Sequence, residues 1–178
     1  GEDWDSRVYA ISPGSAAFLD GLGVWKRLDR SRVARIDEMQ VHGDDTKALL
    51  RFSAYEAGVA ELAWTVESRR LQSLFWQALE HQHQLELICP DQCSGLELRD
   101  DAAELGLASG RVLRAKLVVA ADGMNSWTRQ TAGISVRQKP YGQMGVVANF
   151  ICAQPHHNTA FQWFRNDGVL AYLPLPGE

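Results

Sequence analysis

The most informative stretch of the sequence is residues 115–133, Ala-Lys-Leu-Val-Val-Ala-Ala-Asp-Gly-Met-Asn-Ser-Trp-Thr-Arg-Gln-Thr-Ala-Gly. Leu117 to Ala121 is an unbroken apolar run that is too short for a helix and typical of a strand covered on both faces of a parallel sheet. Asp122-Gly123 ends the run with residues that favour a turn. The stretch therefore predicts an α/β fold with a carboxylate at the end of a buried strand.

A short helix is predicted directly after this turn. Asn125 or Ser126 can act as its N-cap, the helix can run to about Thr131, and Gly133 is placed to end it. Ligands of open α/β sheets bind at the carboxyl ends of strands, and helix N-termini attract phosphate. The pattern indicates a phosphate ligand beside Asp122, although the same pattern also occurs in α/β proteins that bind nothing there.

The segment from Val118 to Arg129 resembles the Asp-Gly fingerprint of FAD-dependent aromatic-ring monooxygenases, the group A flavoprotein hydroxylases. Those enzymes place this aspartate near the pyrophosphates of FAD and NAD(P)H. The resemblance therefore implies a set of cofactor-binding residues in this turn: Asp122, Gly123, Asn125 and Ser126.

Other stretches resemble the same enzymes, most of all the ubiquinone-biosynthesis hydroxylases, and follow the family's order along the chain. They are residues 5–12, 22–25, 66–71, 141–143, 158–160 and 168–175. In the first stretch, the family places an arginine near FAD, which implies the same role for Arg7, since a guanidinium suits phosphate through its planar fork of donors. The alternative is that Arg7 is a solvated surface charge.

The resemblance implies an enzyme that uses NAD(P)H to reduce FAD and hydroxylates a prenylated aromatic ring in ubiquinone biosynthesis. The expected partners are a prenylated phenol or quinol substrate and other ubiquinone-biosynthesis proteins. Such an apolar substrate implies a cytoplasmic protein that binds transiently to the surface of the inner membrane. We expect residues 144–151 and 159–175 to form one sheet whose apolar face lines the ring pocket, with Val147, Leu173 and Pro174 as pocket residues.

The fold class predicted is mixed α/β: part of a Rossmann-like FAD-binding domain joined to a mostly antiparallel substrate-domain sheet. Residues 1–33 and 66–133 are assigned to the first domain, and residues 34–65 and 134–178 to the second. The spacing predicts helices from Pro13 and over residues 67–82. Strands are predicted in residues 35–53, 64–66, 85–88, 96–98, 105–107, 112–121, 134–136, 145–151, 159–164 and 170–173.

Two flavin motifs of the family are absent from the sequence: the Gly-x-Gly-x-x-Gly fingerprint and a Gly-Asp-Ala-Ala-His-like motif. In the family, both cradle FAD. We therefore interpret the chain as an internal fragment of a longer enzyme, inactive by itself and not expected to bind FAD tightly. The sequence identifies no catalytic side chain, which fits enzymes whose cofactor carries the chemistry.

Composition excludes several other classes of protein. The 178 residues carry a net charge of −4, so nothing indicates nucleic-acid binding. No apolar run approaches the roughly 20 residues needed to span a bilayer. No cysteine or histidine spacing matches a metal site. The three cysteines, an odd number, indicate reduced thiols.

Two other functions remain open from the sequence. One is a different flavin-dependent oxidoreductase or a halogenase with a similar Asp-Gly strand. The other is a non-catalytic module that binds an apolar ligand or a partner protein.

Overall fold

The computed structural model describes residues 3–45 and 47–177. The chain divides into two compact units, Gly1–Leu85 with Gly145–Glu178 and Glu86–Met144. The strands are β1 (Val8–Ile11), β2 (Ala34–Ile36), β3 (Glu38–His42), β4 (Leu49–Ser53), β5 (Ala63–Glu67), β6 (Cys93–Leu98), β7 (Ala103–Leu107), β8 (Val112–Ala115), β9 (Thr159–Arg165) and β10 (Gly168–Tyr172). The helices are α1 (Pro13–Gly21), α2 (Ala54–Ala57), α3 (Ser68–Glu80) and α4 (Trp127–Thr131). The predicted mixed α/β class is confirmed.

The first unit contains a small antiparallel sheet with the order β1-β5-β2. Helix α1 begins where predicted, because Ser12 accepts a hydrogen bond from the Ser15 backbone N–H and Pro13 occupies the first turn. Helix α3 also forms as its apolar stripe predicts. Both helices contribute to one core cluster, whose buried members are Ala16, Leu19, Val24, Trp25, Leu28, Val66 and Leu71.

A second sheet of the first unit has the order β10-β9-β3-β4. The two outer pairs are antiparallel, and β3 runs parallel to β9 with Glu38 opposite Thr159 and His42 opposite Trp163. Two stretches far apart in the sequence therefore share one mostly antiparallel sheet. The division into two functional domains at residues 33, 65 and 133 stays a prediction.

The second unit is built on the antiparallel sheet β6-β7-β8, followed by α4. The strands predicted at residues 96–98 and 105–107 are confirmed and pair as the hairpin β6–β7. Helix α4 also begins and ends as predicted, with Ser126 as its N-cap and Gly133 at a positive φ of 68° after its last turn.

The predicted strand at Leu117–Ala121 is wrong, because strand β8 ends at Ala115 and no strand is assigned to the run that follows. Leu117 and Val119 are each 77% exposed. Within the described part of the second unit, the central strand β7 already pairs with β6 on one edge and β8 on the other. A further strand could join this sheet only at β6 or β8, and the apolar run pairs with neither, so its composition alone does not make it a strand.

The strands predicted at residues 85–88, 134–136 and 145–151 are wrong as well. Both edges of β9 are taken, by β3 and by β10, so residues 145–151 cannot pair with it. The predicted sheet of residues 144–151 with 159–175 is thus wrong in its first segment. The strands predicted at residues 159–164 and 170–173 do form, and they pair as the hairpin β9–β10. Among the described residues, no helix is long and apolar enough to cross a membrane.

Candidate functional site

The turn that follows the apolar run is held together by the carboxylate of Asp122. Its Oδ2 accepts hydrogen bonds from the backbone N–H and from the hydroxyl of Thr128, both at 3.0 Å. The Ser126 hydroxyl accepts from the Arg129 backbone N–H at 2.9 Å, which makes Ser126 the N-cap of α4. Both side chains satisfy amide groups that the short helix leaves without an internal partner.

Asp122 is ionised at neutral pH because its surroundings favour the charged form. The Ser126 hydroxyl and then the backbone N–H of Thr128 are the main groups that lower the pKa of Asp122 to about 2. The side chain is nevertheless exposed. At neutral pH the turn therefore carries a negative charge, and Oδ2 of this carboxylate already accepts hydrogen bonds from α4.

The other predicted residues of this turn lie beside Asp122. Gly123 has a φ of +82°, a conformation that favours glycine. Asn125 is exposed, and its carbonyl accepts from the Gln130 side chain at 3.4 Å. The structure thus brings the four residues predicted here into one turn, and their cofactor role stays a prediction.

A groove of about 440 Å³ opens beside this turn within the second unit. Its lining is mostly apolar and consists of Leu96, Leu98, Val118, Ala120, Gly123, Ser126, Thr128, Arg129, Ala132 and Ile134. Sequence reasoning did not assign Arg129 to a site. Its position three residues after the Ser126 N-cap was the available signal, and its guanidinium donates to the Met124 carbonyl at 2.9 Å.

Arg7 lies in the first unit, directly before β1, and its backbone is fixed on both sides. Its N–H donates to Oδ1 of Asp5 at 3.0 Å, and its carbonyl accepts from the Ser68 backbone N–H at 2.9 Å. Oδ2 of Asp5 accepts from the Arg69 backbone N–H at 2.9 Å. The Arg7 side chain is exposed, and within residues 3–45 and 47–177 its guanidinium has no hydrogen-bond or ion-pair partner. Such an open guanidinium fits a phosphate group.

Glu67 is the centre of the network behind Arg7, and only 2% of its surface is exposed. It accepts from the Asp5 backbone N–H at 2.8 Å, from Nε and Nη2 of Arg32 at 2.9 and 2.6 Å, and from Nε of Arg70 at 2.9 Å. Burial raises the pKa of Glu67, but the hydrogen bonds from Arg32, the Asp5 amide and Arg70 outweigh it, so the net shift is downward. Sequence analysis missed this residue, although a glutamate directly before a strong helix was a signal.

The three predicted pocket residues lie in different surroundings of the first unit. Val147 is 68% exposed in the segment that pairs with no strand. Leu173 is half-buried against the cluster of Ile36, Ala63 and Ala160, and Pro174 is buried. Their role in binding substrate stays a prediction.

An aromatic face, which sequence analysis did not identify, lies on the sheet β10-β9-β3-β4. We define it as His42, Phe161, Trp163 and Tyr172. The Trp163 ring is stacked with the rings of His42 and Phe161, at centroid distances of 5.3 and 5.7 Å. The Tyr172 ring packs edge to face against Trp163, at a centroid distance of 5.4 Å. The alternation of aromatic residues in β9 was the available signal, but only the strand register shows which side chains share the face.

Among the described residues, no group of three or more His, Cys, Asp or Glu side chains is placed to hold a metal ion.

A sequence model of the family described as FAD binding domain matches residues 5–175. The chain is 37% identical over 171 residues to 3-demethoxyubiquinol 3-hydroxylase of Escherichia coli K12, an alignment that covers 96% of this chain and 44% of that protein. It is 30% identical over 175 residues to ubiquinone hydroxylase UbiL of Rhodospirillum rubrum, covering 98% of this chain and 40% of that protein. It is 32% identical over 185 residues to the mitochondrial ubiquinone biosynthesis monooxygenase COQ6 of Danio rerio, an alignment that covers 98% of this chain and 38% of that protein. The chain thus spans less than half the length of these relatives.

Solved structures share the fold. PqsL of Pseudomonas aeruginosa, in complex with 2-aminobenzoylacetate, superposes with a TM-score of 0.79 at 20% identity, over 96% of this chain and 47% of that one. The p-nitrophenol 4-monooxygenase PnpA of Pseudomonas putida has a TM-score of 0.59 at 21% identity, over 75% and 35% of the two chains.

Proposed function

Because the chain belongs to the FAD-binding-domain family, we propose that the protein is an FAD- and NAD(P)H-dependent monooxygenase that hydroxylates a prenylated aromatic ring in ubiquinone biosynthesis. The observation that carries this proposal is the 37% identity to 3-demethoxyubiquinol 3-hydroxylase over 96% of the chain. Relatives named for ubiquinone biosynthesis align over a similar share of the chain. The reaction class converts a ring C–H into C–OH, while NAD(P)H supplies two electrons and the second oxygen atom of O₂ leaves as water.

In the first unit, Arg7 offers an open guanidinium that fits a phosphate group, such as one phosphate of FAD. In the second unit, the Asp122 turn is a fixed loop beside an apolar groove. FAD, when bound, supplies the oxygen-activating chemistry that no side chain can provide. In this proposal Arg7 neutralises phosphate charge. Asp122 keeps the turn in place, because its carboxylate would repel a phosphate placed directly against it.

The aromatic face supports a ring-shaped substrate without a carboxylate. Two arginines of this sheet already have carboxylate partners: Arg51 pairs with Glu38 at 2.7 Å, and Arg165 pairs with Asp167 at 2.7 Å in the turn after β9. A substrate carboxylate would therefore have to compete with internal partners, whereas a neutral phenol or quinol ring would stack on aromatic side chains without that cost.

The prenyl tail of such a substrate partitions into membranes. We therefore include contact with the membrane surface, and with other proteins of ubiquinone biosynthesis, in the proposal. The names of the relatives support this part only through the class of substrate.

The test is substrate-dependent oxygen insertion by the product of the complete gene. The purified protein is supplied with FAD, NADPH and either a short-chain prenylphenol or 4-hydroxybenzoate, and the products are identified by mass spectrometry with ¹⁸O₂. We expect one ¹⁸O atom in the prenylphenol and none in the benzoate. Labelling of the benzoate alone would overturn the substrate class, and flavin oxidation without labelled product would overturn the monooxygenase assignment.

A further inference from the structure

We propose that Asp5 and Glu67 are positioning residues that fix the backbone of Arg7 so that its guanidinium can bind an anionic diphosphate. This inference rests on the proposed function, because it takes the anion to be the pyrophosphate of FAD. It goes further by assigning a positioning role to two carboxylates that make no hydrogen bond to the Arg7 guanidinium. We call Asp5 and Glu67 the carboxylate clamp.

The clamp ties the chain before β1 to the start of α3. The two carboxylate oxygens of Asp5 accept from the backbone N–H groups of Arg7 and Arg69, which lie 62 residues apart in the sequence. Glu67 accepts from the backbone N–H of Asp5 and so holds the clamp at a buried site. Because the Arg7 carbonyl also accepts from the Ser68 amide, both peptide groups of Arg7 are fixed. Only the Arg7 side chain stays free to meet a ligand.

The charges of the network leave the Arg7 cation available. Glu67 is paired with Arg32 and Arg70, and the Arg32 guanidinium also lies 3.7 Å above the Trp4 ring centroid. The Asp5 carboxylate accepts from backbone amides, whose hydrogen bonds, from Arg7 first, lower the pKa of Asp5. Neither carboxylate is hydrogen-bonded to the Arg7 guanidinium. An anion can therefore bind Arg7 without displacing an internal partner.

Electrostatics and positioning predict opposite results when Asp5 is removed. Loss of a nearby negative charge would by itself tighten the binding of a phosphate. Loss of the clamp would release the Arg7 backbone. FAD binding would then be weaker, because binding would have to order that segment again. Whether Asp5→Ala tightens or weakens FAD binding therefore distinguishes a purely electrostatic effect of Asp5 from a positioning role.

The experiment is a double-mutant cycle on the product of the complete gene, read as the FAD dissociation constant from flavin fluorescence. We expect Arg7→Ala to weaken FAD binding by roughly 10–100-fold, because it removes a charge-assisted hydrogen bond. We expect Asp5→Ala to weaken FAD binding by about tenfold, because it removes only the positioning of Arg7. The Arg7→Ala/Asp5→Ala double variant should bind no worse than Arg7→Ala alone. Asp5→Asn, which keeps one acceptor oxygen, should recover part of the affinity.

The matched control is Asp91→Ala in the second unit. Asp91 also accepts from two backbone amides, those of Gln92 and Ser109, so the variant removes a similar local cap and should leave the FAD dissociation constant unchanged. Thermal unfolding of each variant reports whether it folds, and Asp5→Asn carries the test if Asp5→Ala does not.

Three results would overturn the inference. Tighter or unchanged FAD binding by Asp5→Ala, with Arg7→Ala weakened, would leave the Arg7 assignment standing and remove the clamp. Additive losses in the double variant would show that Asp5 acts independently of Arg7. Unchanged binding by Arg7→Ala would remove the proposed phosphate contact itself and the clamp with it.

Discussion

The carboxylate of Asp122 accepts both hydrogen bonds that Thr128 offers, from its backbone N–H and from its hydroxyl. At the scale of single residues, the sequence was most informative here, because Asp-Gly turns and serine N-caps depend on neighbours within a few positions. The partner of Asp122 was not predicted. Six positions separate it from Thr128, and only the folded turn brings the two together.

Asp122 should titrate with a midpoint at pH about 2, which the Thr128 amide chemical shift can report. The folded pKa lies below the unfolded value of about 3.9, so the ionised side chain stabilises the turn above about pH 4, and this stabilisation is lost as the pH falls towards 2. Asp122→Asn is the control and should remove the titration of that amide. A midpoint near 3.9 would show that the Thr128 hydrogen bonds do not persist in solution.

Gly123→Val should destabilise the second unit by about 1–2 kcal/mol, measured by urea denaturation. Gly123 has a φ of +82°, and an added Cβ would meet no atom within 4 Å, so the cost is backbone conformation and not crowding. The matched control is Gly95→Val in strand β6, where a Cβ also meets nothing and φ lies outside the left-handed region. Equal losses in the two variants would contradict this explanation.

At the scale of elements, the helices and the hairpins were predictable from the sequence, and so was β5, but several apolar runs predicted as strands pair with no partner. The α3 stripe specifies its helix through contacts three and four residues apart. The apolar runs at residues 117–121 and 145–151 have the composition of buried strands. Whether such a run becomes a strand depends on a partner strand with which it can pair, which is a property of the fold and not of the run.

Glu67→Ala should destabilise the first unit by about 3–5 kcal/mol, because it leaves the Arg32 and Arg70 guanidinium groups without their buried partner. The change is measured as the free energy of unfolding in urea. The matched control is Glu97→Ala, which breaks an exposed ion pair with Arg99 and should cost about 0.5 kcal/mol or less. A loss as small as that of the control would show that the network adds nothing to folding.

At the scale of the whole molecule, the sheet β10-β9-β3-β4 joins parts of the chain that sequence analysis had already grouped by resemblance, but its register could not be predicted. The aromatic face exists only because Gln40 and His42 lie opposite Phe161 and Trp163. A shift by one residue would place the rings on the other side. Local patterns predicted β3, β9 and β10, whereas the aromatic face depends on how these strands pair.

Hydrogen exchange on the 178-residue chain should separate paired from unpaired segments. We expect the amides of residues 117–121 and 145–151 to exchange rapidly, since no strand is assigned to them, and those of β5 and β9 to be protected. Mass spectrometry of peptic peptides would measure both. Equal protection of residues 117–121 and β5 would contradict the absence of a strand in the apolar run.

The parallel pairing of β3 with β9 also sets an order of events during protein synthesis. Asp37 and Asn158, which meet at the start of this pair, are separated by 121 residues. A ribosome adding 5–20 residues per second needs about 6–24 s to cover that distance. During this interval the hairpin β3–β4 has left the ribosome without its neighbour, with Leu50 and Phe52 among its side chains. We therefore expect the nascent chain to be a chaperone client until β9 emerges, because an unpaired apolar hairpin edge is prone to aggregate.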